Sequence, residues 1–180
     1  GAVALLNIHG FRSMNDTFSH TIGDGILLSV AAGLKAALPE GAILARYGGD
    51  EFAVLLKNCV NEAEVMMAVS RLHGKFAKPV KIGELELHVT LTTGAVTIFD
   101  REAESATTDE VLRHADLALA DAKQLTPGSL QVFRNHMAEK VHHDTELKQY
   151  LRQACDKSEF SIDYQCQFDL SNSSVAGFEA

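Results

Sequence analysis

A chain of 180 residues with 46% hydrophobic and 22% charged residues has ordinary globular composition, enough for one domain and a further piece or for one large domain. Its formal net charge of −8 argues against binding nucleic acid through a basic face. The three cysteines, Cys59, Cys155 and Cys166, lie far apart with no CxxC pair, which predicts reduced thiols in a cytoplasmic compartment.

Residues 2–8 (AVALLNI) are almost continuously apolar and read as a buried strand. The run is too short and lacks the basic flank of a signal peptide, and no stretch approaches the roughly 20 apolar residues that span a bilayer. No direct membrane contact is expected of this fragment; its start inside a strand-like run suggests a piece of a longer parent, in which upstream sensor or membrane segments stay open. Residues 9–16 read as a polar loop. In 21–38, Ile22, Ile26, Leu27, Val30, Leu34 and Leu38 recur at three- and four-residue steps, a helix that Pro39 and Gly41 stop. Residues 42–47 and 52–56 read as strands of a hairpin with Gly48, Gly49, Asp50 and Glu51 at its tip. Glycine suits such a tip because φ > 0 costs it nothing, but two adjacent acids repel each other. An ordinary solvated hairpin is one reading. The other is a turn whose glycines let a ligand approach while its acids hold a metal.

Asn61 can cap a helix to about residue 76 with Val65, Met66, Val69 and Leu72 on its apolar face. Residues 79–99 are β-rich, with a small hairpin about Gly83-Glu84 and a longer run over 87–99. Thr108 or Asp109 caps a third helix through Lys123, and 130–133 is a short strand. The order β-α-β-β-α-β with additions predicts an α+β fold: an antiparallel-rich central sheet flanked by helices, of the ferredoxin-like or palm kind. Residues 135–156 read as a polar linker helix. Its adjacent His142 and His143 point about 100° apart and make no two-ligand metal face. Residues 157–180 alternate apolar and polar about Ser171-Asn172-Ser173 and read as a β-hairpin that opens a further domain.

The end of the first strand, Asn7-Ile8-His9, should lie near Asp50 and Glu51 if that strand flanks the hairpin. Mg²⁺ or Mn²⁺ takes oxygen ligands, one or two carboxylates completed by substrate phosphates and water. Asp24 could accept two hydrogen bonds from a guanine edge, with Asn15 adding a donor and an acceptor. Singly, each residue has a plainer reading: Asn15 and Asp16 as a helix cap, His20 as a packed or exposed histidine, Asp24 as a first-turn acid.

Together, RYGGDEF (46–52), FRSMND (11–16), HTIGD (20–24) and ADLALADAK (115–123) resemble the GGDEF family of diguanylate cyclase domains over about residues 1–134. YQCQFDL (164–170) and GFEA (177–180) resemble the opening of an EAL cyclic di-GMP phosphodiesterase domain. The resemblance implies a bacterial signalling domain in which two copies meet face to face, each with one GTP, and join them into cyclic di-GMP. It implies Asp50 and Glu51 as catalytic acids, and Asn7, the Ile8 carbonyl, Asp50 and Glu51 as ligands to Mg²⁺ or Mn²⁺. Phe11, Arg12, Asn15, His20, Asp24, Gly48, Gly49 and Lys123 fall on GTP-binding positions, with Asn15 and Asp24 reading guanine and Arg12 and Lys123 holding phosphates. A homodimer and no nucleic-acid partner are expected.

The departures from the family pattern bear on activity. Its Asp-x-Asp at the end of strand one is Asn7-x-His9 here, which removes formal charge from a site for hard cations. Its tyrosine before Ala-Lys is Ala120, the arginine four residues beyond Lys123 is Pro127, and the product-inhibition Arg-x-x-Asp falls at Pro39 and Ala42. The implied function is a GTP-binding domain with weak or absent cyclase activity that regulates a downstream EAL domain. A working cyclase and a scaffold domain that binds no nucleotide are the other readings.

Overall fold

In a computed structural model, which describes residues 1–98 and 107–180, the apolar run at the start forms β1 (Ala2–Ile8). β1 lies at the centre of a five-stranded sheet with β2 (Ile43–Gly48), β3 (Glu51–Leu56), β6 (Leu91–Thr97) and β7 (Leu130–Val132), in the order β2-β3-β1-β6-β7. All neighbours are antiparallel except β6 and β7. This is the expected α+β, antiparallel-rich sheet flanked by helices.

The lack of polar alternation in β1 has a direct cause: both faces of the strand are covered. Ala2, Ala4, Leu6 and Ile8 pack with α2 (His20–Ala37) and α3 (Glu62–Gly74). Leu5, with Val3 beside it, packs with Ala115 and Leu119 of α4 (Thr108–Lys123). Successive strand residues point to opposite faces, so Asn7 shares the α4 side with Val3 and Leu5. In β3 the same rule sends Phe52, Val54 and Leu56 to the α2 side and Glu51 to the α4 side. Gly94 lets α4 lie against β6, since any Cβ there would overlap the backbone of Ala115 and Leu119.

Four details differ from the sequence expectation. The polar stretch after β1 is a helix, α1 (Phe11–Phe18), entered through Gly10 in the left-handed region at φ 69°. Phe11 and Met14, one helical turn apart, pack on the core and hold it there. Met66 is 47% exposed, so α3 buries Val65, Val69 and Leu72 without it. The cap of α4 is Thr107, whose side chain accepts from the Glu110 amide while Glu110 accepts from the Thr107 amide. That reciprocal pair outcompetes a cap one residue later, and it holds the Glu110 carboxyl below its usual range. The hairpin tip is tighter than expected, because Gly48 pairs with Glu51 and only Gly49 and Asp50 form the turn.

Asn61 caps α3 by accepting from the Glu64 amide at 2.9 Å. β4 (Val80–Ile82) and β5 (Leu85–Leu87) form the small hairpin about Gly83, at φ 61°. The far end of the β-rich run, Phe99, lies outside the described residues.

The chain divides into two units, Gly1–Ala138 and Glu139–Ala180. α5 (Asn135–Asp156) buries only Met137, as its polar sequence requires. In the second unit β8 (Gln165–Phe168) and β9 (Val175–Glu179) pair antiparallel. Among the described residues no helix is long and apolar enough to cross a membrane.

Candidate functional site

The β2–β3 turn is built by its glycines and by Arg46. Gly49 takes φ 47°, where a side chain would be strained, and no atom lies within 4 Å of a Cβ placed at Gly48 or Gly49. The backbone at the tip is therefore open to a close-approaching group. The register shifts between Arg46 and Gly48, and this bulge turns Arg46 back along the hairpin. Its Nε and Nη2 both donate to the Gly49 carbonyl, at 3.2 and 2.8 Å. From sequence alone Arg46 has no assigned role. Its signals are its place at the head of the RYGGDEF motif and three residues before the left-handed Gly49.

On the α4 side, Asn7 stands directly across from Glu51 in the β1–β3 pair. Asn7 Nδ2 donates to Glu51 Oε1 at 3.5 Å, and Lys123 Nζ donates to the same oxygen at 3.0 Å. Asp116, two turns before Lys123 on α4, also faces this carboxylate. Burial first, and then the charge of Glu51, push the Asp116 carboxyl up, with Lys123 opposing in part. The family motif contains Asp116, but sequence reasoning assigned it nothing. The Ile8 amide donates to the Asp50 carbonyl at 3.1 Å and seats the tip against the end of β1.

These positions offer oxygen donors: the carboxylates of Asp50 and Glu51, the amide oxygen of Asn7 and the carbonyl of Ile8. Among the described residues no group of three or more His, Cys, Asp or Glu side chains could hold a metal. Two carboxylates still fit a hard divalent ion that draws its remaining ligands from phosphate and water.

On the α2 side, Asp24 lines a groove of about 490 Å³ with Leu27, Leu28, Ala31, Leu44, Arg46 and Phe52. Beside it, the Asn15 amide packs on Gly23, where any Cβ would overlap its oxygen. That Asn15 Oδ1 is buried and has no hydrogen-bond partner among the described residues. A buried acceptor without a donor costs about 1–3 kcal/mol. Phe11 is half-buried against the core, while Arg12 and His20 are exposed on α1 and at the start of α2. The structure thus gathers Asn7, Glu51 and Lys123 on one side, and Asn15, Gly23 and Asp24 on the other.

Comparison with known proteins agrees with this architecture. Cyclic di-GMP phosphodiesterase PdeR of Escherichia coli K12 is 32% identical over 163 residues, covering 91% of this chain and 24% of PdeR. Bifunctional diguanylate cyclase/cyclic di-GMP phosphodiesterase MucR of Pseudomonas aeruginosa PAO1 is 27% identical, covering 99% of this chain and 26% of MucR. The chain thus spans about a quarter of the length of these curated relatives. The solved GGDEF domain of TpbB (YfiN) from P. aeruginosa PAO1 superposes with a TM-score of 0.72 at 26% identity, over 78% of this chain and 81% of that one. The model of the family "Diguanylate cyclase, GGDEF domain" matches residues 1–127, and the chain belongs to that family.

Proposed function

We propose that residues 1–134 bind GTP and have weak or absent diguanylate cyclase activity, serving a cyclic di-GMP signalling protein by regulating a downstream EAL phosphodiesterase. One observation carries this reading: the residue across from Glu51 is an asparagine that turns its amide donor toward the carboxylate. A carboxylate at that place would repel Glu51 unless a cation lay between them. Asn7 brings no such repulsion, and with Lys123 it satisfies Glu51 from within the chain.

In the family reaction, the 3′-hydroxyl of one GTP attacks the α-phosphate of the other and pyrophosphate leaves. Bound Mg²⁺ or Mn²⁺ would supply charge neutralisation of the triphosphate and activation of the attacking oxygen. The chain's own residues do the rest. Asn15 and Asp24 hold the guanine edge, with Asp24 accepting from its N1–H and N2–H. The open backbone at Gly48 and Gly49 leaves room for the nucleotide, Phe11 and His20 border it, and Arg12 and Lys123 face its phosphates. Asp50, Glu51, Asn7 and the Ile8 carbonyl would hold the metal. Two copies must meet for turnover, so the working form is a homodimer, and its compartment is the cytoplasm.

Residues 135–156 are read as the linker helix and 157–180 as the first two strands of an EAL domain. The match to MucR, whose name carries both activities, covers 99% of this chain and so runs into the tail. The intact Gly48-Gly49-Asp50-Glu51-Phe52 turn favours a second reading, an active cyclase. Calorimetric titration of GTP with and without Mg²⁺ tests the proposal. Saturable GTP binding that gains little from Mg²⁺ supports it, whereas no binding under either condition leaves only a scaffold role.

A further inference from the structure

We propose that Lys123 is an internal competitor for the divalent cation: its ammonium holds Glu51 until a metal ion displaces it, and the displacement frees it for the phosphates. The inference rests on the reading of Glu51 as a metal ligand and Lys123 as a phosphate contact. Lys123 Nζ lies 3.0 Å from Glu51 Oε1, the same oxygen that Asn7 approaches at 3.5 Å. A cation bound through that oxygen cannot share it with an ammonium at contact distance, because like charges so close repel strongly even at a protein surface. Glu51 therefore has two alternative cations, one built into the chain.

The geometry makes the built-in cation exchangeable. The backbone of Lys123 is fixed, since it is the last residue of α4 and α4 is seated on β6 at Gly94. A helix C-terminus also favours a positive charge at that position. Its side chain is a flexible four-carbon stem. It is 42% exposed, and Glu51 26% exposed, so the pair is partly screened by solvent. Exchange moves one side chain and leaves the sheet and helix in place. Metal and phosphate binding are then coupled: the ion that takes Glu51 releases the cation that meets the triphosphate. Asn7 sharpens the competition, because it offers the metal less charge than an aspartate while leaving Lys123 its partner.

The test is a Mn²⁺ titration of the full chain without nucleotide, with free Mn²⁺ followed by electron paramagnetic resonance. Lys123→Met should bind Mn²⁺ about two- to five-fold tighter than wild type, the change expected from removing one exposed ion pair. Lys57→Met removes the same charge just beyond the opposite end of β3, and its affinity should stay within about 1.5-fold of wild type. If Lys123→Met does not fold, Lys123→Gln serves the same comparison. Unchanged or weaker binding in the Lys123 variants overturns the competition and leaves the metal reading standing. Equal tightening in the Lys57 variant also overturns it, since general charge then accounts for the effect. No saturable Mn²⁺ binding in any variant overturns both the competition and the assignment of Glu51 as a ligand.

Discussion

On the α2 side of the sheet a buried amide oxygen, Asn15 Oδ1, has no partner, whereas on the α4 side the Glu51 carboxylate is already engaged by Lys123 and Asn7. The first arrangement is an unmet hydrogen-bonding demand. The second is a carboxylate satisfied from within the chain. Both sides hang on the same strands, and the alternation of β1 and β3 separates them. The two clusters can therefore change independently, because one substitution at Asn7 touches the α4 side alone.

Gly94→Ala should have the largest effect and would break the α4 side from behind. Its Cβ would meet backbone atoms of Ala115 and Leu119, which cannot rotate away. The cost should be about 3 kcal/mol of stability, the upper range for overpacking a core, measured by urea unfolding. A loss below about 0.5 kcal/mol would mean that α4 sits further from β6.

Asp24→Ala sharpens the α2 side. It should weaken GTP binding by about 1.5–3 kcal/mol, the range for hydrogen bonds to a charged group. ATP binding should hardly change, because adenine lacks the adjacent N1–H and N2–H donors. Equal losses for both nucleotides in calorimetry would show that Asp24 does not read the base.

Gly23→Ala separates the two sides without removing a polar group. The added methyl must turn the Asn15 amide away, so GTP affinity should fall by about 1–2 kcal/mol. Stability should hold or rise, since alanine is the better helix former. GTP affinity equal to wild type would remove Asn15 from the base site.

The smallest effect is a pH dependence behind the sheet. His73 on α3 hydrogen-bonds Thr93 Oγ1 at 2.7 Å, beside Gly94 and on the opposite face of β6. Burial pushes the His73 imidazole below its usual value, and a hydrogen bond to Gly128 opposes this in part. The folded chain then takes up the proton less readily than the unfolded one. Stability from this group is intact above the ordinary imidazole value of about 6.5, falls as pH drops below it, and levels off under the depressed folded value. Urea midpoints at pH 7.5 and 5.5 should differ more for wild type than for His73→Gln. Equal differences would place the pH dependence elsewhere.

Much of this was legible from the sequence, because strand and helix periods are local. The helical steps of Ile26, Val30 and Leu34 and the glycine turn at 48–49 mark their elements before any contact is known. The motif residues Asn15, Asp24, Asp50 and Glu51 were legible only through their family resemblance. Tertiary packing made the rest invisible. α1 forms because Phe11 and Met14 find the core, although its composition is that of a loop. Arg46 joins the tip only through a bulge, and Asp116 gains its neighbour Glu51 only when α4 docks on β6. The closeness of Asn15 to Gly23 depends on how α1 meets α2, which no periodicity encodes.

The central claim is that Asn7 limits the chemistry while the base side stays intact. Its most direct test is Mg²⁺-dependent conversion of saturating GTP to cyclic di-GMP by the wild-type chain beside Asn7→Asp combined with His9→Asp. The double variant should be faster by about ten-fold or more, the scale on which metal-site groups act. A wild type already as fast as the double variant would contradict the account.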